Sequence, residues 1–128
     1  MKLLLDTHTF LWFIRGDAKL SSHARKLIED PNNERLLSIA SLWEMAIKVS
    51  LGRLQVPQPF PHLLTHHISG NAMSVHRISA ADLDELTKLP FHHKDPFDRL
   101  IIAQSLSAQI PVVSRDKLFD GYGIVRLW

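Results

Sequence analysis

Short apolar segments alternate with longer amphipathic segments along this chain, and this alternation restricts its fold more than any other feature. Short runs such as Leu3-Leu4-Leu5, which stops at Asp6, are typical of strands buried on both faces. The sequence predicts strands at residues 2–5, 35–38, 72–78, 111–114 and 124–127, helices at 7–14, 21–29, 39–50, 60–68, 80–86 and 95–108, and a proline-rich loop at 57–61. Strands that alternate with helices favour a parallel sheet covered by helices on both faces. We therefore expect an α/β fold with a short, mostly parallel central sheet.

Length and composition set further limits on the class of protein. The 128 residues suit a single domain that spans residues 1–128. Cysteine is absent, which excludes disulfides and thiolate metal sites. The charge at Asp6 comes too early for a signal peptide, and no apolar run approaches the roughly 20 residues of a membrane span. We therefore expect a cytoplasmic protein with no membrane partner.

Four carboxylates lie beside predicted strand ends or helix starts, and each has an ordinary structural explanation. Asp6 can cap the helix that follows it, and Asp116 can favour the positive end of a short helix. Glu44 can pair with the lysine four residues further on. Asp98 can complete a capping box that Asp95 opens. Taken one at a time, none of these acids requires a functional site.

The predicted sheet brings the same four acids to one edge. In parallel α/β sheets, helix starts lie at the edge where strands end. Asp6 ends the first strand, and Asp116 lies just beyond the fourth. Glu44 and Asp98 lie in the early turns of two helices. All four acids should therefore project toward the edge at which open α/β sheets bind ligands.

A cluster of four carboxylates predicts a hard metal ion. Two carboxylates about 4 Å apart repel by about 4 kcal/mol at an effective dielectric near 20, so such a cluster needs cations. Ligand sets made only of oxygen select Mg²⁺ or Mn²⁺ over softer metals, and carboxylate-held Mg²⁺ typically acts on phosphoryl oxygens. The sequence therefore predicts a catalytic metal site formed by Asp6, Glu44, Asp98 and Asp116.

Histidine is a weaker candidate for this site. His62 and His66 are four residues apart and His92 adjoins His93, but no third ligand follows at a zinc-like spacing. Only His8, two residues from Asp6, is expected near the acidic edge.

Four motifs resemble the PIN domain, and more closely the VapC-type toxin ribonucleases of type II toxin–antitoxin systems. They are LLLDTH at 3–8, SLWE at 41–44, DPFDRLIIA at 95–103 and SRD at 114–116. The resemblance covers essentially the whole chain. It implies a PIN-like three-layer fold and a Mg²⁺- or Mn²⁺-dependent endoribonuclease that is restrained by a cognate antitoxin protein, usually in a homodimer. It matches Asp6, Glu44, Asp98 and Asp116 to the four acids of the family, and Ser114 to the hydroxyl residue before the last acid.

The expected reaction is hydrolysis of an RNA phosphodiester bond by metal-activated water, which the resemblance implies leaves a 5′-phosphate. Whether Asp116 binds metal directly or through water stays open, as does the number of metals. Asp95 is kept as a cap and outer support. Lys94, Arg99 and Arg115 stand beside the acids and can hold the RNA backbone or offset the acid cluster, although surface solubility explains them equally well. Trp12 can stack on bases, but a core or dimer contact is the simpler reading.

Other enzymes with acids at an α/β edge fit less well. A receiver domain needs an acidic pair after the first strand, and a haloacid-dehalogenase-like phosphatase needs Asp-x-Asp there, whereas this chain has Asp6-Thr7-His8. A flap nuclease needs an arch region for which the chain has no length. The alternative that stays open is a catalytically degenerate PIN-like domain that binds RNA or serves as a scaffold.

Overall fold

The computed structural model describes residues 1–56 and 59–128, and within them five parallel strands form one sheet. The strands are β1 (Lys2–Leu5), β2 (Glu34–Ser38), β3 (Met73–His76), β4 (Val112–Val113) and β5 (Arg126–Leu127), and their order across the sheet is β3-β2-β1-β4-β5. The predicted α/β fold with a parallel central sheet is confirmed. β3 begins later than predicted because Ala72, at a φ of 53°, adopts the left-handed conformation just before it.

Helices connect these strands, and several begin at side chains that cap them. The α-helices are α1 (Thr7–Arg15), α2 (Ser22–Glu29), α3 (Ile39–Ser50), α4 (Ala80–Lys88) and α5 (Pro96–Ala108). The helix predicted at 60–68 is a π-helical turn, Leu63–Ile68, and Lys117–Tyr122 forms a 3₁₀ helix. The part of the predicted loop at Pro57 lies outside the described residues. No helix in the described part of the chain is long and apolar enough to cross a membrane.

Alternate residues of β1 build two cores on the two faces of the sheet. Leu3 and Leu5 are fully buried against α1, α2 and α3 through side chains such as Phe10 and Ile28. Leu4 points the other way and packs beneath α5, against apolar side chains such as Ile101. The sheet is therefore the middle layer of three. That residues 1–128 make up a single domain stays a prediction.

The strand order places a crevice between β1 and β4. From β1 the chain moves outward through β2 to β3, and it then returns to the opposite side of β1 for β4 and β5. Loops after β1 and β4 therefore diverge, and ligands bind open α/β sheets at such a point. Asp6 follows β1 directly, and Asp116 lies three residues beyond β4.

Candidate metal centre

Ser114 joins the ends of β1 and β4 at the crevice. Its buried hydroxyl donates to Oδ2 of Asp6 over 2.5 Å and accepts the backbone N–H of Asp116 over 3.0 Å. Oδ1 of Asp6 accepts the N–H of Thr9 over 2.8 Å and so caps α1. Asp6 therefore does cap a helix, as its ordinary explanation requires, while its carboxylate is also tied to the loop that carries Asp116.

Asp95 caps α5 and leaves Asp98 free to face the crevice. Oδ1 of Asp95 accepts the N–H groups of Phe97 over 2.9 Å and of Asp98 over 3.1 Å. In a capping box, the side chain of Asp98 would accept the N–H of Asp95 in return. That N–H instead donates to Nδ1 of His93 over 3.2 Å. The capping-box explanation of Asp98 is therefore wrong, and Asp95 acts as the cap that the sequence predicts.

Glu44 is buried, with only 5% of its surface exposed, and both of its oxygens are bound. Oε1 accepts the hydroxyl of Thr7 over 2.8 Å, and Oε2 contacts Nζ of Lys48 at 2.7 Å. The pair with Lys48 exists, but this carboxylate is not a solvated surface group. Thr7 adjoins Asp6 in the chain, so the Thr7 hydrogen bond brings Glu44 to the acidic edge.

His93 belongs to this site, although the sequence indicates only His8 near it. Nε2 of His93 lies 2.8 Å from Oδ2 of Asp116 and 3.2 Å from Oδ2 of Asp98. The ligand atoms of these three residues all lie within 4.8 Å of one another. That expectation about histidine was wrong, because the residues before α5 fold back over the crevice. The nearest signal in the sequence was the position of His93, two residues before the cap Asp95.

Arg99 holds this folded-back segment in place. Its buried guanidinium donates to the carbonyl oxygens of Leu89, Pro90 and His93 over 2.8–3.3 Å, and it lies 4.0 Å from the ring centroid of Phe91. Since these carbonyls occupy its donors, we assign Arg99 the supporting role and not the RNA contact that the sequence left open.

The electrostatics at Asp98 show how closely the acids are grouped. Burial, followed in order of size by the charges of Asp95, Asp6, Glu44 and Asp116, raises the pKa of Asp98 to about 8. A carboxyl group with this pKa is mostly protonated at neutral pH when no cation is near. The five acids therefore form one electrostatic unit.

Asp6 shows the same tendency. Burial raises its pKa, and the hydrogen bonds from Ser114 and Thr9 together with the charge of His8 offset part of that rise. A buried and a half-buried carboxyl group with raised pKa values at one crevice are typical of a functional site. The donor set consists mainly of carboxylate oxygens, which fits a hard divalent cation such as Mg²⁺ or Mn²⁺.

An open cleft of about 390 Å³ beside Asp6 and Asp116 has acidic, basic and aromatic side chains in its wall. Its wall is formed by Asp6, His8, Trp12, Arg115, Asp116 and Lys117. The rings of Trp12 and His8 stack at a centroid distance of 5.7 Å. Arg115, Lys117 and the nearby Lys94 are exposed to solvent. The cleft therefore offers cations and a flat ring beside the carboxylates.

Comparisons with known proteins agree with this architecture. The sequence matches the family described as PIN domain over residues 3–124. No curated protein matches it.

Among solved structures, the chain is similar to VapBC2 from Rickettsia felis bound to a DNA fragment from its promoter, with a TM-score of 0.75, 16% identity and coverage of 100% of this chain and 99% of that one. It is also similar to VapC20 of Mycobacterium tuberculosis, described as a sarcin-ricin loop cleaving toxin, with a TM-score of 0.66, 15% identity and coverage of 96% of each chain. A third likeness is to FitAcB from Neisseria gonorrhoeae, with a TM-score of 0.59, 16% identity and coverage of 98% and 96%. At 15–16% identity, these similarities are evidence for the fold alone. Because the family match extends over nearly the whole length, this chain belongs to the PIN domain family.

Proposed function

We propose that this protein is a divalent-metal-dependent endoribonuclease and the toxin of a toxin–antitoxin pair. The observation that carries the proposal is the position of Asp98, whose carboxyl group is surrounded by other buried or half-buried acids and has a pKa raised to about 8. A group in this environment is stable as an anion only beside a cation. The four acids at the crevice therefore fit a metal centre better than four separate structural roles.

Asp6 and Asp98 would hold the metal, with Glu44 and Asp116 in support. Both oxygens of Asp116 already accept hydrogen bonds, from Nε2 of His93 over 2.8 Å and from the N–H of Leu118 over 2.9 Å. When bound, Mg²⁺ or Mn²⁺ supplies Lewis-acid polarisation of a phosphate and a lower pKa for a nearby water.

The other residues of the cleft suit a single-stranded RNA. The exposed Arg115 and Lys117 lie on both sides of Asp116 and can contact backbone phosphates. Trp12 presents a ring on which an unpaired base can stack. Lys48 lies 2.7 Å from Oε2 of the buried Glu44 and places a positive charge beside this carboxylate. We propose phosphodiester hydrolysis that leaves a 5′-phosphate and a 3′-hydroxyl.

An antitoxin partner and a homodimer are part of the proposal. Solved structures similar in fold are described as VapBC and FitAB assemblies, two of them bound to DNA. This chain also exposes large apolar side chains, with Trp43 at 59% and Phe91 at 76% of their surface. Exposed aromatic groups of this size support a surface that other protein chains cover.

The test is to express the protein without an antitoxin and to map new RNA 5′ ends. We expect growth arrest and new 5′-phosphate ends from the wild type, and neither from the Asp6→Asn variant. Asp84→Asn is the matched control, because this exposed carboxylate on α4 pairs with Lys88 and lies outside the site. The same ends from wild type and Asp6→Asn would refute the nuclease and favour the scaffold alternative.

A further inference from the structure

We propose that His93 is a positioning residue of the metal centre, which donates its Nε2–H to the carboxylate of Asp116 beside that of Asp98 and does not itself bind the metal. This inference rests on the proposed metal-dependent function. It goes beyond that function because the proposed metal centre consists of four acids and assigns no role to His93.

The hydrogen bonds of the His93 ring indicate which of its two nitrogens carries the hydrogen. Nδ1 of His93 lies 3.2 Å from the backbone nitrogen of Asp95, and a backbone N–H can only donate. Nδ1 must therefore present its lone pair, which leaves the hydrogen on Nε2. Nε2 in turn faces Oδ2 of Asp116 at 2.8 Å and Oδ2 of Asp98 at 3.2 Å. A carboxyl oxygen of Asp116 can accept the Nε2–H, so the donors and acceptors match on both sides of the ring.

The same assignment argues against His93 as a ligand. Its proximity to Asp98 and Asp116 resembles a mixed nitrogen and oxygen metal site. However, a ligating nitrogen must offer a lone pair to the metal. Nδ1 of His93 already uses its lone pair for Asp95, and Nε2 carries the hydrogen. Ligation would require the opposite tautomer and the loss of the bond from Asp95.

The backbone and the ring of His93 are both fixed by neighbours. Its N–H donates to the hydroxyl of Tyr122 over 2.6 Å, and its carbonyl accepts from Arg99 over 3.3 Å. The imidazole lies 5.7 Å from the ring of Phe119, and His93 is buried. A donor held this firmly fixes the carboxyl group of Asp116 beside that of Asp98 before a cation arrives. Such outer-shell donors tune metal affinity without touching the metal.

The test measures metal binding by calorimetry, with Mn²⁺, Co²⁺ and Mg²⁺ as separate probes. We expect His93→Leu to weaken the binding of all three ions by a common factor of about 10–100. His93→Gln should restore most of the affinity, because its amide can donate from a similar position. His92→Leu is the matched control; this exposed neighbour packs its ring on Tyr122 and should bind metal like the wild type.

The pattern across ions separates positioning from ligation. Loss of an imidazole ligand would weaken Co²⁺ far more than Mg²⁺, since nitrogen ligands favour the later transition metals. That result, or wild-type affinity in His93→Leu, would overturn the proposal. If the wild type itself binds no Mn²⁺, then the proposed metal centre is wrong and the role of His93 falls with it.

Nitrogen NMR of the wild-type imidazole checks the tautomer without any substitution. We expect His93 to carry its hydrogen on Nε2 both before and after Mg²⁺ is added. A change to the Nδ1–H tautomer on metal addition would show ligation and would contradict the proposal, even if the variants at this position fail to fold.

Discussion

At the scale of single residues, the four acids differ in how the protein stabilises their charge. Asp6, Glu44 and Asp116 each accept two hydrogen bonds or ion-pair contacts from the protein, one on each oxygen. In the described part of the chain, Asp98 has a single polar contact of this kind, with His93 at 3.2 Å. Asp98 is therefore the acid whose charge depends most on a cation from solution.

The Asp98→Asn variant should be more stable than the wild type at pH 8 in EDTA. Removing the charge relieves repulsion from four neighbouring acids while the side-chain volume stays nearly the same. We expect the unfolding temperature, measured by circular dichroism, to rise by about 3–8 °C, which corresponds to about 1–2 kcal/mol for a chain of this size. Asp84→Asn, which removes an exposed charge, should change it little. A lower unfolding temperature for Asp98→Asn would contradict this account of the site.

The stability of the metal-free protein should fall as the pH rises. The pKa of Asp98 is about 8 in the folded chain against 3.8 for the ordinary group, so the folded state binds the extra proton between these values. The contribution of Asp98 to the free energy of unfolding therefore decreases as the pH rises across that window, by up to about 1.4 kcal/mol per pH unit. Urea titrations in EDTA at pH 5.5 and pH 8 measure this effect. The loss of unfolding free energy between pH 5.5 and pH 8 should be smaller in Asp98→Asn and in the wild type with saturating Mg²⁺ than in the metal-free wild type. A loss of equal size in all three samples would show that other groups cause it.

At the scale of elements, Gln104 fixes α5 against the strands that lead to the site. This fully buried amide accepts the hydroxyl of Ser38, the cap of α3, over 2.5 Å and donates to the carbonyl of Arg77 over 3.3 Å. Since α3 carries Glu44 and α5 carries Asp98, this link sets the relative position of the two acids.

Gln104→Met should therefore destabilise the protein, although the two side chains have similar volumes. The change leaves the buried Ser38 hydroxyl without its acceptor and removes the hydrogen bond to the Arg77 carbonyl, which together cost about 1–3 kcal/mol. Chemical denaturation measures the loss, and Ser107→Ala on the same helix should change stability by less than about 0.5 kcal/mol. Equal stabilities for Gln104→Met and the wild type would show that the amide link does not hold α5.

Local sequence signals explain which elements could be predicted. The apolar run before Asp6, the helix at Ile39–Ser50 and the Asp95-Pro96 start of α5 all have signals within a few residues, and the structure has them at or near the predicted bounds. The segment from Leu89 to His93 has no such signal. Its path is set by Arg99, which reaches back to three carbonyls, so the approach of His93 to the acids depends on tertiary contacts that residue spacing does not reveal.

At the scale of the whole molecule, charge is distributed unevenly although the net charge is only +2. Exposed cations border the acidic crevice at the carboxyl ends of β1 and β4, where Arg115 and Lys117 share a cleft with Trp12. The composition alone could not indicate nucleic-acid binding, because this depends on where the few excess positive charges lie in the folded structure. A negative RNA backbone would meet cations first and the metal centre between them.

RNA affinity should therefore depend on salt through specific residues. In an Asp98→Asn background that does not cleave, Arg115→Ala and Lys117→Ala should each reduce the slope of log affinity against log salt by about 0.7, the value for one lost phosphate contact on a single strand. Fluorescence anisotropy with a labelled oligoribonucleotide measures the slope. Lys26→Ala is the control, because this exposed lysine lies on α2, which leads to the opposite edge of the sheet. Equal slopes for all three variants and their parent would place the RNA elsewhere.

The most direct test of the metal-dependent ribonuclease is the cleavage rate of RNA by the purified protein with Mg²⁺, compared for wild type, Asp98→Asn and Asp84→Asn. We predict that wild type and Asp84→Asn cleave at similar rates and that EDTA stops both. Asp98→Asn should be slower by about 1,000-fold or more, because a variant that no longer holds the metal loses several kcal/mol of transition-state stabilisation. Cleavage by Asp98→Asn at the wild-type rate, or wild-type cleavage that persists in EDTA, would contradict the account.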